Sequence, residues 1–192
     1  MLSAYLLSGL LLHKAVWEVM KNRKRGTDVP RRETLKTRLV SLAKVAILCG
    51  LIIQAFHPDF LPIVQDAATI RVVGLALYTA GLLFAITARI QLGRNWSDIE
   101  KSRVVAGHEL VARGVYRYIR HPIYTGDLML LAGFELALNS WLVAGVAAVA
   151  LYVRGQAVSE ESKLLASLPG YDRYSRETGR FLPVFRKNAS GS

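Results

Sequence analysis

Long apolar runs separated by shorter polar stretches are the dominant pattern along the chain. Because an apolar helix needs about 20 residues to cross the hydrocarbon of a bilayer, these runs predict an all-α, polytopic membrane helix bundle with about five transmembrane helices. The fourth run is short, which favours a tight hairpin with the fifth across Asn139 and Ser140. The predicted spans are residues 2–20, 39–56, 70–88, 124–138 and 141–158.

The distribution of charge predicts an orientation. The 192-residue chain is 52% hydrophobic and has a formal net charge of +11. Basic residues concentrate in the connections 21–38 and 89–120, whereas 57–69 contains two aspartates and neither Lys nor Arg. The positive-inside rule therefore places both basic connections in the cytoplasm. A nucleic-acid-binding protein would instead present a basic face on a polar domain, so the expected partner is the lipid bilayer and not nucleic acid.

These patterns divide the chain into two parts. Residues 1–88 are predicted to form three N-terminal transmembrane helices with a basic cytoplasmic loop. Residues 89–192 are predicted to form a catalytic region, made of a cofactor-binding connection, the helical hairpin and a C-terminal cytoplasmic segment. Small residues in the third and fourth spans, such as Gly74, Gly81 and Gly133, predict close packing of helix backbones.

A polar, aromatic corner precedes the fourth predicted helix. Pro122 is expected to open that helix, since its missing N–H costs nothing in a first turn. His121, which precedes a proline, is expected to be extended, with its ring outside the helix near free backbone N–H groups. Such a corner suits an anionic or polar ligand group, and Tyr116, Tyr118 and Tyr124 offer rings that stack on a purine. The alternative is an interfacial belt of Tyr and Arg that anchors helix ends.

A collinear set of short motifs covers residues 95–183. It comprises Asn95-Trp-Ser, His108-Glu-Leu-Val, Gly114-Val-Tyr, Arg120-His-Pro-Ile-Tyr, Glu160-Glu161, Tyr171 with Tyr174, and Gly179-Arg-Phe-Leu-Pro. In order and spacing these motifs resemble the isoprenylcysteine carboxyl methyltransferase family. The resemblance implies an integral membrane enzyme that uses S-adenosylmethionine, held in a cytoplasmic pocket roofed by the C-terminal segment. The donor contacts that it implies are His108, Glu109, Leu110, Val111, Tyr116, His121, Pro122, Ile123, Tyr124 and Glu160.

The chemistry of the methyl donor agrees with these positions. Backbone amides and histidines suit its carboxylate, a carboxylate such as Glu160 suits its ammonium and sulfonium, and tyrosines with apolar side chains suit its adenine. Without the resemblance, Glu160 reads as an acidic residue that is solvated or paired with Lys163. No catalytic side chain is assigned, and no metal ligand set is expected, because the single cysteine, Cys49, lies in an apolar run.

The acceptor site is predicted at Arg154 and Gln156. Gln156 stands where enzymes that act on prenylcysteine have an arginine, and Arg154 lies two residues earlier. Arg154 and Asp127 are expected at similar depth on adjacent helices, so Arg154 either pairs with Asp127 or receives an anionic substrate group. Glu135, near the outer end of its helix, is expected to reach that interface.

The resulting hypothesis is a methyltransferase that acts on a lipophilic or prenylated acceptor, with a prenylcysteine carboxylate favoured over a phospholipid amine. Two alternatives stay open from the sequence. Tyr124-Thr-Gly-Asp127 is similar to a stretch of the membrane sterol reductases, which would imply NADPH. The second alternative is a non-catalytic membrane partner that has kept the fold.

Overall fold

The computed structural model describes residues 1–22, 35–93 and 110–184. Over these ranges the chain is helical, and its only β-type pairings are isolated bridges, Pro62 with Ser140 and Ile119 with Gly179. The predicted all-α class is confirmed, and each predicted span coincides with a helix. The helices are α1 (Leu2–Asn22), α2 (Leu35–Ala55), α3 (Ala68–Leu92), α4 (Pro122–Ala137), α5 (Gly145–Ser167) and α6 (Tyr171–Glu177). The short helix α6 was not predicted.

Three segments of the described chain are long and apolar enough to cross a membrane: Arg38–Ala55, Ala68–Leu92 and Trp141–Ser167. Large apolar side chains on α2, including Leu39, Leu42 and Ile53, are exposed, as expected of a surface that faces lipid tails. Helix α1 is continuous, but charged residues interrupt its apolar sequence. Helix α4 has only 16 residues. The count of five crossings therefore stays a prediction.

Helices α3 and α4 pack backbone to backbone, as the small residues predicted. A Cβ atom added at Gly126 would lie 2.6 Å from the backbone nitrogen of Ala85. Additions at Gly74 and Gly133 would overlap the backbone of Ala137 and Tyr78, respectively. Dispersion drives such contacts in lipid, so close approach of this kind stabilises the pair. Helix α3 belongs to the first predicted part of the chain and α4 to the second, so this packing joins the two parts. The division of the chain at residue 88 stays a prediction.

One end of the bundle, which we call the hairpin end (residues 56–67 and 138–141), is organised by Asn139. Its amide nitrogen donates to Asp59 Oδ1 and to the Val64 carbonyl, each at 2.8 Å. Its amide oxygen accepts from the backbone N–H groups of Ile63 and Val64, each at 3.1 Å. The φ of Asn139 is +53°, a conformation that asparagine tolerates better than most residues. The turn predicted at Asn139 and Ser140 is confirmed.

Glu135 contradicts the expectation that it reaches the outer interface. Its side chain is buried, with 6% of the residue exposed, and Gln54 Nε2 donates to its Oε2 at 2.6 Å. The hydrogen-bond donor that Gln54 supplies from α2 makes burial of this carboxyl group tolerable. That partner is 81 residues away in sequence, so the chain alone gave no sign of it.

At the opposite end, which we call the corner (residues 114–124), the C-terminal segment lies against the start of α4. The N–H groups of Arg120 and His121 donate to the carbonyls of Gly179 and Arg180, at 2.8 and 3.0 Å. In return, Gly179 N–H donates to the Tyr118 carbonyl at 3.2 Å. These three bonds hold residues 179–180 as a strand-like clasp across the corner.

Candidate functional site

The corner forms where Pro122 starts α4, as predicted. His121 has φ −121° and ψ 57°, so its φ fits the expected pre-proline geometry while its ψ stops short of fully extended backbone. Its carbonyl accepts the first hydrogen bond of α4, from Thr125 N–H at 3.1 Å. The ring is buried, stacked on Tyr124 with centroids 5.3 Å apart and tilted against Phe181 at 5.9 Å.

Next to the ring, Glu161 is the buried centre of an ionic cluster, which we call the Glu161 hub (Arg120, His121, Glu161 and Arg180). Its Oε1 accepts from Arg120 Nε at 2.9 Å and from Arg180 Nε at 3.0 Å, and lies 3.1 Å from His121 Nε2. Its Oε2 accepts from Arg180 Nη2 at 2.7 Å. Only 8% of its side chain is exposed. The hub thereby ties α5 to the start of α4 and to the C-terminal segment.

The arginines of the hub are themselves shared. Arg120 Nη1 donates to the carbonyls of Ser175 and Thr178, the first at 2.6 Å. Hydrogen bonding to Glu161 raises the pKa of Arg180 above its ordinary value. A charged cluster of this kind is stable out of water only when each charge is paired and hydrogen-bonded, and here the partners come from three separate segments.

The adjacent Glu160 has a different environment. Its Oε2 accepts one hydrogen bond, from the Tyr124 hydroxyl at 3.1 Å, and lies 3.9 Å from His121 Nδ1. Its side chain is 36% exposed, and within the described chain no ion pair joins it to Lys163. Glu160 is therefore a carboxylate with acceptor capacity left over, next to the stacked rings of His121 and Tyr124.

An apolar floor adjoins these polar groups. Tyr116 and Ile123 are buried together with Ala88, and Trp17 and Val111 pack against them. Burial raises the pKa of Tyr116 above its ordinary value, so the phenol is neutral at physiological pH. Burial likewise raises the pKa of Tyr174 to about 12.

The α6 helix covers this floor from the C-terminal side. The Tyr174 hydroxyl donates to the Tyr116 carbonyl at 2.7 Å. Leu110 lies beside the start of α6, where a Cβ added at Gly170 would be 3.8 Å from its Cδ2 atom. The C-terminal segment thus lies against Leu110 and Tyr116, two of the predicted donor contacts.

Most of the predicted donor contacts come together in this region. His121, Tyr124 and Glu160 are in mutual reach, and Pro122 orients the first turn beneath them. Tyr116, Ile123 and Val111 share the floor. His108 and Glu109 lie outside the described residues. The role of each of these residues in binding stays a prediction.

The acceptor residues are placed differently. Asp127 Oδ1 lies 2.9 Å from His13 Nε2 on α1, so the interpretation of an Asp127–Arg154 ion pair is wrong: Asp127 faces α1 and not α5. Arg154 is exposed. Gln156 is half-buried and precedes Glu160 by four residues, which places both on one face of α5.

Sequence reasoning missed Glu161, Arg120, Arg180 and His13 as candidate functional residues. The first three stand inside the quoted motifs, and an acidic residue beside Glu160 was a usable signal. His13 gave only the weaker signal of an ionisable side chain within an apolar run. Among the described residues no group of three or more His, Cys, Asp or Glu side chains is arranged to hold a metal ion.

Comparison with known proteins gives the family. A family model described as phospholipid methyltransferase matches residues 69–168, just over half of the chain. The chain belongs to the phospholipid methyltransferase family. The match covers α3, the corner, α4 and α5, so the family region contains every predicted donor contact.

The fold of this family member also matches a solved structure. That structure, of the eukaryotic intramembrane Ras methyltransferase ICMT (isoprenylcysteine carboxyl methyltransferase), aligns with a TM-score of 0.67 at 23% identity, covering 93% of this chain and 64% of that one. The helix arrangement of this chain is therefore the one found in that structure.

Curated relatives support the resemblance drawn from the motifs. Protein-S-isoprenylcysteine O-methyltransferase B of Arabidopsis thaliana is 30% identical over 62% of this chain and 61% of its own length. The Schizosaccharomyces pombe protein-S-isoprenylcysteine O-methyltransferase is 26% identical over 57% and 48%. The nickel-cobalt-cadmium resistance protein NccN of Alcaligenes xylosoxydans xylosoxydans is 31% identical over 62% and 56%. The chain spans about half to three fifths of the length of these relatives.

Proposed function

We propose that this chain is an integral membrane methyltransferase that transfers a methyl group from S-adenosylmethionine to the carboxylate of a lipophilic, prenylcysteine-type acceptor. The family match and the two relatives named as isoprenylcysteine O-methyltransferases support methyl transfer over the reductase alternative. The observation that carries the proposal is the pair of adjacent glutamates on α5. Glu161 is saturated by arginines, whereas Glu160 is open beside His121 and Tyr124.

The residues of the corner fit the donor in chemistry. The open carboxylate of Glu160 suits the ammonium and sulfonium charges, and the first N–H groups of α4 suit a carboxylate. The floor of Tyr116, Ile123 and Val111 offers neutral rings and apolar side chains to adenine. The donor supplies an electrophilic methyl group, and the side chains of the corner bind it, orient it and keep water away.

The acceptor requires little further chemistry. A carboxylate is ionised at pH 7, so alignment and exclusion of water are the main contributions asked of the protein, and well-oriented intramolecular reactions reach effective molarities of roughly 10⁵–10⁸ M. Gln156 lies on the α5 face that carries Glu160 and is the better placed of the predicted acceptor residues. The basic connections favour a site that opens to the cytoplasm, with the greasy acceptor entering from the bilayer.

The test is a panel of donors and acceptors with the full chain in lipid nanodiscs. We expect calorimetry to detect binding of S-adenosylmethionine and not of NADPH. We expect transfer of a labelled methyl group to N-acetyl-S-farnesylcysteine, and not to phosphatidylethanolamine. Transfer to phosphatidylethanolamine instead would show that the acceptor is a phospholipid amine and not a prenylcysteine carboxylate. Binding of the donor without any transfer would leave a non-catalytic relative, and binding of NADPH alone would overturn the proposal.

A variant pair tests the site within that proposal. Glu160→Gln removes the open negative charge and is expected to weaken donor binding by at least about tenfold, or about 1.4 kcal/mol. The matched control is Glu177→Gln, which removes an equal charge from an exposed pair with Arg173 on α6 and is expected to leave donor affinity unchanged. Equal donor affinity in wild type and Glu160→Gln would contradict the site assignment.

A further inference from the structure

A histidine–aspartate pair between α1 and α4 lies outside the donor site described above. His13 Nε2 is 2.9 Å from Asp127 Oδ1, and the ring of His13 stacks on Trp17 with centroids 3.9 Å apart and planes 21° apart. The side chains of His13 and Asp127 are 23% and 37% exposed. Ionisable groups inside a membrane bundle are expensive and usually serve a substrate or ion, and both of these remain partly accessible.

The pair adjoins the donor site. Asp127 follows Tyr124 by three residues, so the two share a face of α4 about one turn apart, and the Tyr124 hydroxyl is within electrostatic reach of Asp127 as well as of Glu160. On α1, Trp17 is one turn beyond His13 and packs against the floor formed by Tyr116 and Ile123. The pair therefore lies beside the pocket lining, deeper along α4 than the corner.

The hydrogen bond to Asp127 fixes the ring of His13 and leaves its other nitrogen available. Within the described part of the chain, Nδ1 of His13 has no hydrogen-bond partner. As an imidazolium, His13 would donate Nε2–H to Asp127 and present a charged Nδ1–H donor beside the site. A carboxylate that leaves water requires such a donor, because an unpaired charge is costly at low dielectric.

We propose that His13, positioned by Asp127 and Trp17, binds the carboxylate of the acceptor at the bilayer side of the donor site. This inference rests on the proposed function, since it names the group that receives that acceptor. It explains why a polar pair sits on otherwise apolar faces of α1 and α4. As an imidazolium, His13 also supplies a cationic contact, which the neutral Gln156 cannot.

Equilibrium binding tests the proposal without requiring turnover. The probes are N-acetyl-S-farnesylcysteine and its carboxamide, which differ only in the charged group, titrated into the full chain in nanodiscs. Wild type is expected to bind the carboxylate at least about tenfold more tightly than the carboxamide. In His13→Gln that ratio is expected to fall to near one, and in Asp127→Asn to an intermediate value. Lys14→Gln, which removes an exposed charge on the same helix, is expected to keep the wild-type ratio.

Two results would overturn the proposal: a wild type that does not distinguish the probes, or a His13→Gln variant that still does. If the pair only ties α1 to α4, His13→Gln would lower the melting temperature, with both probes affected equally. Donor affinity, measured in each variant, verifies that the corner is folded. Selective carboxylate binding without methyl transfer would leave the role of His13 standing while the proposed reaction failed.

Discussion

The two ends of α4 both bury polar side chains, but they differ in how much hydrogen-bonding capacity they leave unused. At the hairpin end, Asn139 uses both amide hydrogens and both oxygen lone pairs within the protein. At the corner, Glu161 is equally saturated, yet its neighbour Glu160 accepts a single hydrogen bond and is 36% exposed. Burial of polar groups thus occurs at both ends, and at the corner a saturated glutamate stands directly beside one that keeps acceptor capacity open. A carboxylate with unused hydrogen-bonding capacity, held beside a fully hydrogen-bonded one, therefore marks the candidate site better than the burial of polar groups does.

The strongest test of this comparison removes the charge at the centre of the Glu161 hub. Glu161→Gln leaves Arg120 and Arg180 without their shared carboxylate, and we expect the free energy of unfolding to fall by about 4 kcal/mol, as for other buried pairs that lose one partner. Donor binding should be lost as well, because the clasp is released. Thermal unfolding and calorimetry in detergent measure the two effects.

The control for that variant is the neighbouring residue. Glu160→Gln should change the free energy of unfolding by no more than about 0.5 kcal/mol, since Glu160 is not part of the Glu161 hub. If both variants unfolded at the same temperature as wild type, the distinction between a saturated and an open glutamate would be lost.

The second test addresses the hairpin end. Asn139→Ala removes four side-chain hydrogen bonds, which we expect to lower the free energy of unfolding by about 3 kcal/mol. Donor affinity should not change in the folded fraction, because Asn139 lies at the opposite end of α4 from the predicted donor contacts. Gln65→Ala, an exposed position in the same connection, is the control. A loss of donor affinity in Asn139→Ala would show that the two ends are coupled.

The sequence was sufficient for the helices and insufficient for what joins them. Apolar runs predicted α1 to α5, and Pro122 fixed the start of α4 because of its missing N–H. Helix α6 was missed because its seven residues, from Tyr171 to Glu177, are too short and polar for a periodic signal. The clasp was missed for a related reason: it consists of backbone bonds between residues about 60 positions apart.

The site was predictable as a set of residues but not as a set of contacts. The motifs selected His121, Tyr124 and Glu160, and the structure brings these together. The pairing of Asp127 was wrong because counting outward from a hairpin turn gives depth and not the direction in which a side chain faces. Its partner, His13, is 114 residues away, and no spacing rule connects them.

A third test compares glycines on α4 with a glycine on α5. Gly133→Ala inserts a methyl group against the backbone of Tyr78, and we expect overpacking to lower the free energy of unfolding by about 2 kcal/mol. Gly155→Ala, where nothing lies within 4 Å, should instead stabilise by about 0.5 kcal/mol, since alanine favours a helix.

The position of the glycine should also separate the two ends. Gly126 lies in the second turn of α4, near the corner, so Gly126→Ala is expected to lower donor affinity together with stability. Gly133→Ala should lower stability alone. If both variants changed donor affinity equally, α3 and α4 would act as one rigid unit and the contrast between the ends would not extend to function.

The smallest expected effect concerns the attachment of α6 at the corner. Tyr174→Phe removes the hydroxyl that donates to the Tyr116 carbonyl, which we expect to lower the free energy of unfolding by about 1 kcal/mol. Burial raises the pKa of Tyr174 from 10.0 to about 12, so its stabilising contribution is complete below pH 10 and is lost as the pH rises through about 12. The stability difference between wild type and Tyr174→Phe should therefore shrink over that interval. A difference that stayed constant to the upper limit would mean that Tyr174 stabilises the corner by packing alone, and that the frame around the open glutamate needs no hydrogen bond from α6.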